Sequence, residues 1–299
     1  MSNYSEISIP NQELLATGVG GNMPENTGAI IKMFLCESSF TGTPADMKTR
    51  SFIEAGIVAG TVHPFPMLQE INPQNVAAAY KEAGSGTSYK MKGEVRKTEY
   101  EFIGNIIQHS AIKSYADRSW NILYYTNKGY LIGHTKSVSS AGVVTAEGLK
   151  AARVYVNAYS TSTFADPSST KVIIEDNNVD DLDKEFFIVQ PDYDMTELQS
   201  PVQVDLIVTQ ATQAAGTLTV KFKLQERGSN ANVSGALLAN FKAENTSGVA
   251  ITLTSVTESA NVYTAVATNA ATAGSISTNG VITVATYLYK SAKSNFVTA

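Results

Sequence analysis

Trp120–His134 reads WNILYYTNKGYLIGH, an aromatic and apolar run, a polar break at Asn127, Lys128 and Gly129, and a second apolar run. Aromatic and β-branched residues suit a pleated, half-buried surface, and an Asn-Lys-Gly break supplies residues that tolerate a tight reversal. The stretch therefore predicts a strand over Trp120–Tyr125, a turn, and a returning strand over Tyr130–His134.

Working outward, Tyr89–Gly104 alternates charged and apolar residues, which predicts one long strand with Tyr100 and Phe102 facing a core and Glu99 and Glu101 facing away. Between it and the hairpin, Ile112, Tyr115 and Ala116 stand at i, i+3 and i+4, so His109–Arg118 reads as a short amphipathic helix with Lys113, Ser114 and Asp117 outward. Ile30–Cys36 reads as a buried strand. Further strands are expected at Val154–Ala158, Lys171–Glu175, Phe186–Val189 and Val202–Val208. Met1–Thr27, rich in Asn, Gly, Ser and Pro, reads as an extended arm, and Glu37–Gly60 as short strands or a long excursion. Gln74–Gly84 has the spacing of a second short helix through Val76, Ala79 and Tyr80.

Gln210–Gly216 is small and polar and reads as a linker between domains 1–210 and 214–299. Beyond it Leu218, Val220, Phe222 and Leu224 alternate, as do Leu237, Ala239, Phe241 and Ala243, then Val249, Ile251 and Leu253, then Tyr263, Ala265 and Ala267, then Ile282, Val284 and Thr286. That spacing predicts six short strands in a β-sandwich. The expected fold class is mainly β, in two domains.

Composition narrows the function. Ala214–Ala299 contains no His, Asp, Cys, Met, Trp or Pro, so it cannot build a His-based relay or a usual metal cage. Of the 299 residues 43% are hydrophobic and 16% charged, which suits folded domains stabilised without a cofactor. The net charge of −5 is uneven: residues 1–213 carry −8 and the rest +3. An acidic body opposes sequence-independent binding of nucleic acid, which rests on Lys and Arg neutralising phosphates, but suits a conduit that repels it. The single cysteine, Cys36, forbids an internal disulfide and reads as a buried thiol. Met1–Pro10 lacks a basic start and an apolar core, so no secretory signal is expected, and no stretch reaches the ~20 apolar residues of a membrane helix.

Candidate sites are few. Glu175, Asp176, Asp180, Asp181, Asp183 and Glu185 cluster carboxylates suited to a hard cation, but without the turn glycine and closing glutamate of a helix-loop-helix calcium loop they read as a solvated loop. Gly18, Gly20 and Gly21 lack the Gly-Lys-Ser/Thr ending of a phosphate loop. His63, His109 and His134 have no pairwise spacing for one metal. No Gly-x-Ser-x-Gly elbow is present. Asn232–Ser234 and Asn245–Ser247 match the glycosylation acceptor pattern by chance in an Asn- and Ser-rich domain. Trp120, Tyr124, Tyr125 and Tyr130 could stack bases, but with only Arg118 and Lys128 near they read as core or interface. No catalytic, cofactor-binding or metal residue is assigned, and an enzyme is not expected.

Taken together, the arm, the strand Tyr89–Gly104, the helix His109–Arg118, the hairpin Trp120–His134 and the strand Val202–Val208 resemble a bacteriophage tail tube protein over roughly residues 1–210. Ala236–Asn245, Val249–Val256 and Asn261–Val266 resemble the immunoglobulin-like domains attached to phage tail and capsid proteins. The resemblance implies a β-sandwich or barrel protomer with one flanking helix, assembling with itself as hexameric rings. Such rings stack into a tube through which DNA passes, with other tail proteins as partners, in the virion and, before assembly, the host cytoplasm. The arm and Glu37–Gly60 are then expected at ring-to-ring contacts. The alternatives are a capsid decoration, head-tail connector or tail-terminator protein, and a surface- or carbohydrate-binding adhesin module.

Overall fold

The computed structural model describes residues 6–8, 27–82, 88–177, 185–268, 271–285 and 287–298. Among the described residues strands hold 53% and helices 11%, so the chain is mainly β, as its alternating patterns predict. It divides into two compact units, the second of which takes in Ser200–Ala299.

The first unit is built on an antiparallel sheet curled into a half-barrel. Its path runs Glu6–Ser8, Phe186–Val189, Leu131–Val138, Trp120–Thr126, Leu149–Val156, Ser169–Asp176, Lys97–Ile103 and Glu70–Pro73. The predicted hairpin lies at its centre: Tyr124 and Tyr125 pair with Ile132 and Leu131 across a turn whose Gly129 amide donates to the Thr126 carbonyl. Gly129 has φ 81°, a conformation glycine adopts without a Cβ clash. On its other edge Trp120–Thr126 pairs with Ile30–Cys36, in which Met33, Phe34, Leu35 and Cys36 are all buried. A run buried on both faces needs cover on both, and its apolar continuity is the signature of such a strand. Lys97–Ile103 alternates as expected, with Tyr100 and Phe102 buried and Glu99 and Glu101 outward, where Lys171 holds both carboxylates at 3.0 and 3.7 Å.

Several expectations need correction. Glu37–Gly60 is no long excursion: it folds as helices α1 (Pro44–Lys48) and α2 (Arg50–Ala59), which bury Met47, Ile53 and Ile57. Its start is a capping box, in which Thr43 Oγ1 accepts from the Asp46 amide at 3.1 Å and Asp46 Oδ2 accepts from the Thr43 amide at 2.8 Å, with Pro44 in the first turn. A single flanking helix was expected; among the described residues there are three α-helices, the third being α3 (Ile106–Lys113). That helix starts at its Asn105 cap rather than at His109, while Ile112, Tyr115 and Ala116 do face the core. Gln74–Gly84 is not helical in its described part: Ala79–Glu82 is a strand paired with Ser88–Lys92. The long strand expected over Tyr89–Gly104 is correspondingly broken at Gly93–Arg96. Within the arm, Glu6–Ser8 pairs with Phe187–Val189, so that part is a sheet strand.

The second unit is a sandwich of a six-stranded and a four-stranded sheet. Leu218, Val220, Phe222 and Leu224 are buried, as are Tyr263, Ala265, Ala267, Ile282 and Val284. Phe222, Phe241 and Tyr263 form its aromatic centre, with ring centroids 5.1 to 5.4 Å apart. Tyr263 donates its hydroxyl to the Val233 carbonyl at 2.9 Å and accepts from the Ala236 amide at 3.2 Å, so the buried phenol is satisfied. Two details differ from expectation. Leu237 is exposed because Leu238–Asn240 is a 3-10 turn, and Val249 is exposed in the turn after Phe241–Asn245. The larger correction is the boundary. Val202–Ala214 is a single strand that runs through the expected linker and pairs with Thr217–Glu226. Val204 and Leu206 point inward as predicted, but into the second core. The boundary therefore falls near Ser200, not at 210–214.

Candidate functional site

The most concentrated polar chemistry among the described residues surrounds Glu147, whose side chain is 1% exposed. Its position follows from two glycines. Val144–Glu147 pairs with Leu131–Val138, and after Gly148 the chain pairs instead with Trp120–Thr126. A Cβ on Gly148 would lie 2.5 Å from the Ile122 amide nitrogen, and one on Gly133 2.6 Å from the Glu147 carbonyl, so only glycine lets these strands converge.

Into this junction His134, Lys136, Lys150 and Asn121 deliver donors from three different strands. Lys136 Nζ and Lys150 Nζ each stand 3.2 Å from a Glu147 oxygen, and Asn121 Nδ2 donates at 3.5 Å. His134 Nδ1 lies 3.2 Å from Glu147 Oε1, and its Nε2 lies 3.3 Å from Glu185 Oε2. Each ring nitrogen thus faces one carboxylate; a neutral imidazole donates to one of them and a doubly protonated one to both. Burial alone would raise the Glu147 carboxyl, but hydrogen bonds from His134, Lys136 and Lys150 outweigh it and bring the pKa down to about 2. A carboxylate held so low is a poor proton acceptor at neutral pH, since general bases work best near the operating pH. The cluster instead ties the strands bearing His134, Lys150 and Asn121 to one buried anion.

A second polar centre lies at Lys32, which is buried on Ile30–Cys36. Its Nζ donates to the carbonyls of Thr196 (2.9 Å) and Leu198 (2.5 Å), at the C-terminal end of the 3-10 turn Met195–Glu197. Burial lowers its pKa to about 8, and the Asp194 carboxylate offsets only part of that. A third pairs the hydroxyls of Tyr100 and Tyr124 at 2.8 Å, with burial raising Tyr100 to about 12.

The residues singled out from the sequence fall apart in space. Of the acidic stretch, Asp180, Asp181 and Asp183 lie outside the described residues; Asp176 stands 3.6 Å from Arg96, and Glu185 faces His134. Gly18, Gly20 and Gly21 also lie outside them. His63 contacts Tyr115 and Trp120, and His109 bonds Thr170 Oγ1 at 3.1 Å, so the three histidines serve three separate places. Cys36 is fully buried, and burial pushes its thiol well up, away from the reactive thiolate. Trp120, Tyr124 and Tyr125 are core residues, with Trp120 Nε1 donating to the Tyr115 carbonyl at 2.9 Å. Asn245 accepts from the Ser247 and Val249 amides, a turn-forming role.

The pivotal residue of the buried cluster, Glu147, was not singled out from the sequence. Its signal was an acidic residue inside an apolar run beside a glycine, Val143–Leu149, where a lone carboxylate demands partners. No protein-family model matches the chain, and no curated protein matches it in sequence. Among the described residues, no helix is long and apolar enough to cross a membrane.

Proposed function

We propose that this chain is a structural virion protein of the tail-tube type, whose copies associate as rings that stack around a passage for DNA. The observation that carries the reading is the curled sheet of the first unit. Among the described residues its path ends at Glu6–Ser8 on one side and Glu70–Pro73 on the other, each paired along one edge only. An open edge is a template for another strand, and a ring of identical copies joined edge to edge removes that liability. The acidic balance of the first unit supports a lumen that does not hold DNA.

The expectation that Glu37–Gly60 makes the ring-to-ring contacts loses its basis, because most of that segment packs as α1 and α2 against its own unit. Negative-stain electron microscopy of the purified full chain after size exclusion tests the reading. Stacked rings are expected, whereas rings or trimers that never stack favour a decoration or terminator role.

A further inference from the structure

The paired strands Glu70–Pro73 and Lys97–Ile103 continue outward, through hydrogen bonds from Gln74 to Lys97 and between Val76 and Val95, into the ribbon of Ala79–Glu82 and Ser88–Lys92. Residues 72–77, 79–82, 88–91, 93 and 94 are exposed, and Ala78 between them is half-buried. Yet the ribbon is not polar: Val76 is 44% exposed, Tyr80 63%, Tyr89 57% and Met91 66%. A two-stranded ribbon without a core is at best marginally stable in water, and Tyr and Met are residue types that interfaces favour.

The register distributes these groups over both faces. Tyr80 stands opposite Lys90, and Lys81 opposite Tyr89, so the two tyrosines lie on opposite faces, while Met91 falls at the register shift between Lys90 and Lys92. Neither face is therefore the water-facing one, in contrast to the base of the same hairpin, where Tyr100 is inward and Glu99 outward. Charge supplies the second observation. From Ala79 to Lys92 there are three lysines and one glutamate, while the other residues up to Gln199 hold thirteen Lys and Arg against twenty-two Asp and Glu.

We infer that this ribbon is a docking arm that inserts its Tyr80, Tyr89 and Met91 side chains against the acidic first unit of a second copy of the chain. The inference rests on the proposed self-assembly in naming a second copy as the occupant. Nucleic acid fits less well, because three lysines neutralise few phosphates and Met91 and Val76 offer no stacking plane.

The test uses the full chain. Equal amounts of isotopically heavy and light protein are mixed, treated with a carbodiimide that joins lysines to carboxylates, and digested for mass spectrometry. Heavy-light peptides joining Lys81 or Lys90 to an Asp or Glu of the first unit are expected. Tyr80→Ser/Tyr89→Ser/Met91→Ser should remove them and weaken self-association roughly tenfold or more in sedimentation, as loss of interface anchors does. At concentrations where both proteins are single copies its melting temperature should stay unchanged, because these side chains are exposed within the protomer. Self-association of that variant equal to the parent, links only within one copy, or binding of the ribbon to an oligonucleotide but not to protein would overturn the inference. Tubes formed equally well by the variant would remove the docking arm and leave the tube reading in place. Discrete dimers lost in the variant would retain the arm and remove the tube.

Discussion

His134 Nδ1 lies 3.2 Å from Glu147 Oε1 on the directly opposed strand, and the two side chains are 4% and 1% exposed. A carboxylate so far from water gains little net stability from its partners compared with apolar packing, but removing a partner is costly because the carboxylate is then stranded. Lys136 and Lys150 supply two cations to the same carboxylate, so Glu147 is the group that the cluster shares.

Glu147 should make the first unit acid-sensitive. The carboxyl titrates near its ordinary value of 4.5 when unfolded and at about 2 when folded. The folded state therefore binds fewer protons in between, and the stabilisation is complete above pH 4.5 and lost as pH falls towards 2. The expected loss is up to about 3 kcal/mol. Chemical denaturation between pH 2 and 6 reads it. Glu147→Gln should be about 3–5 kcal/mol less stable at pH 7 and flatter across that window.

Lys32 produces a slope of opposite position. Its ammonium titrates at about 8 when folded against 10.5 when unfolded, so between these values the unfolded chain holds more protons. Stability from this group rises with pH across that window. Lys32→Met, followed by denaturation from pH 7 to 10, should abolish the rise; an unchanged slope would show that the buried ammonium is not its source.

The capping box of α1 gives a local test. Thr43→Ala removes the acceptor of the Asp46 amide and should cost about 1 kcal/mol, while Thr43→Ser keeps the hydroxyl in an equally good cap and should be close to neutral. Equal losses in the two variants, measured by denaturant titration, would mean that packing of the methyl group dominates.

In the second unit, Tyr263→Phe leaves the Val233 carbonyl and the Ala236 amide without their shared hydroxyl and should cost about 1–3 kcal/mol. Phe222→Ala removes a fully buried ring and should cost about 3–5 kcal/mol. Reversal of that order in thermal or chemical melts would shift the weight of this core from packing to hydrogen bonding.

Period-two alternation made most strands legible, because Leu218–Leu224 and Tyr100–Phe102 each have one wet and one dry face. The Gln74–Gly84 error has the same origin: with no core on either side, the ribbon obeys no burial period, and Val76, Ala79 and Tyr80 fall at helical spacing by coincidence. The helices of Glu37–Gly60 were legible in Thr43, Pro44 and Asp46, a start signal that outweighs the scattered apolar pattern around it. The domain boundary was not, since Gln210–Gly216 is small and polar whether it is a linker or the tip of a long hairpin; only the pairing of Ala214 with Thr217 decides. The Glu147 cluster draws its donors from strands that adjoin only after folding, so no local spacing announces it.

Self-association of the full chain is the central claim, and negative-stain microscopy of the size-exclusion peak over a range of concentrations tests it most directly. Rings that stack end to end into tubes are the expected result. Particles that remain single copies at every concentration would contradict it.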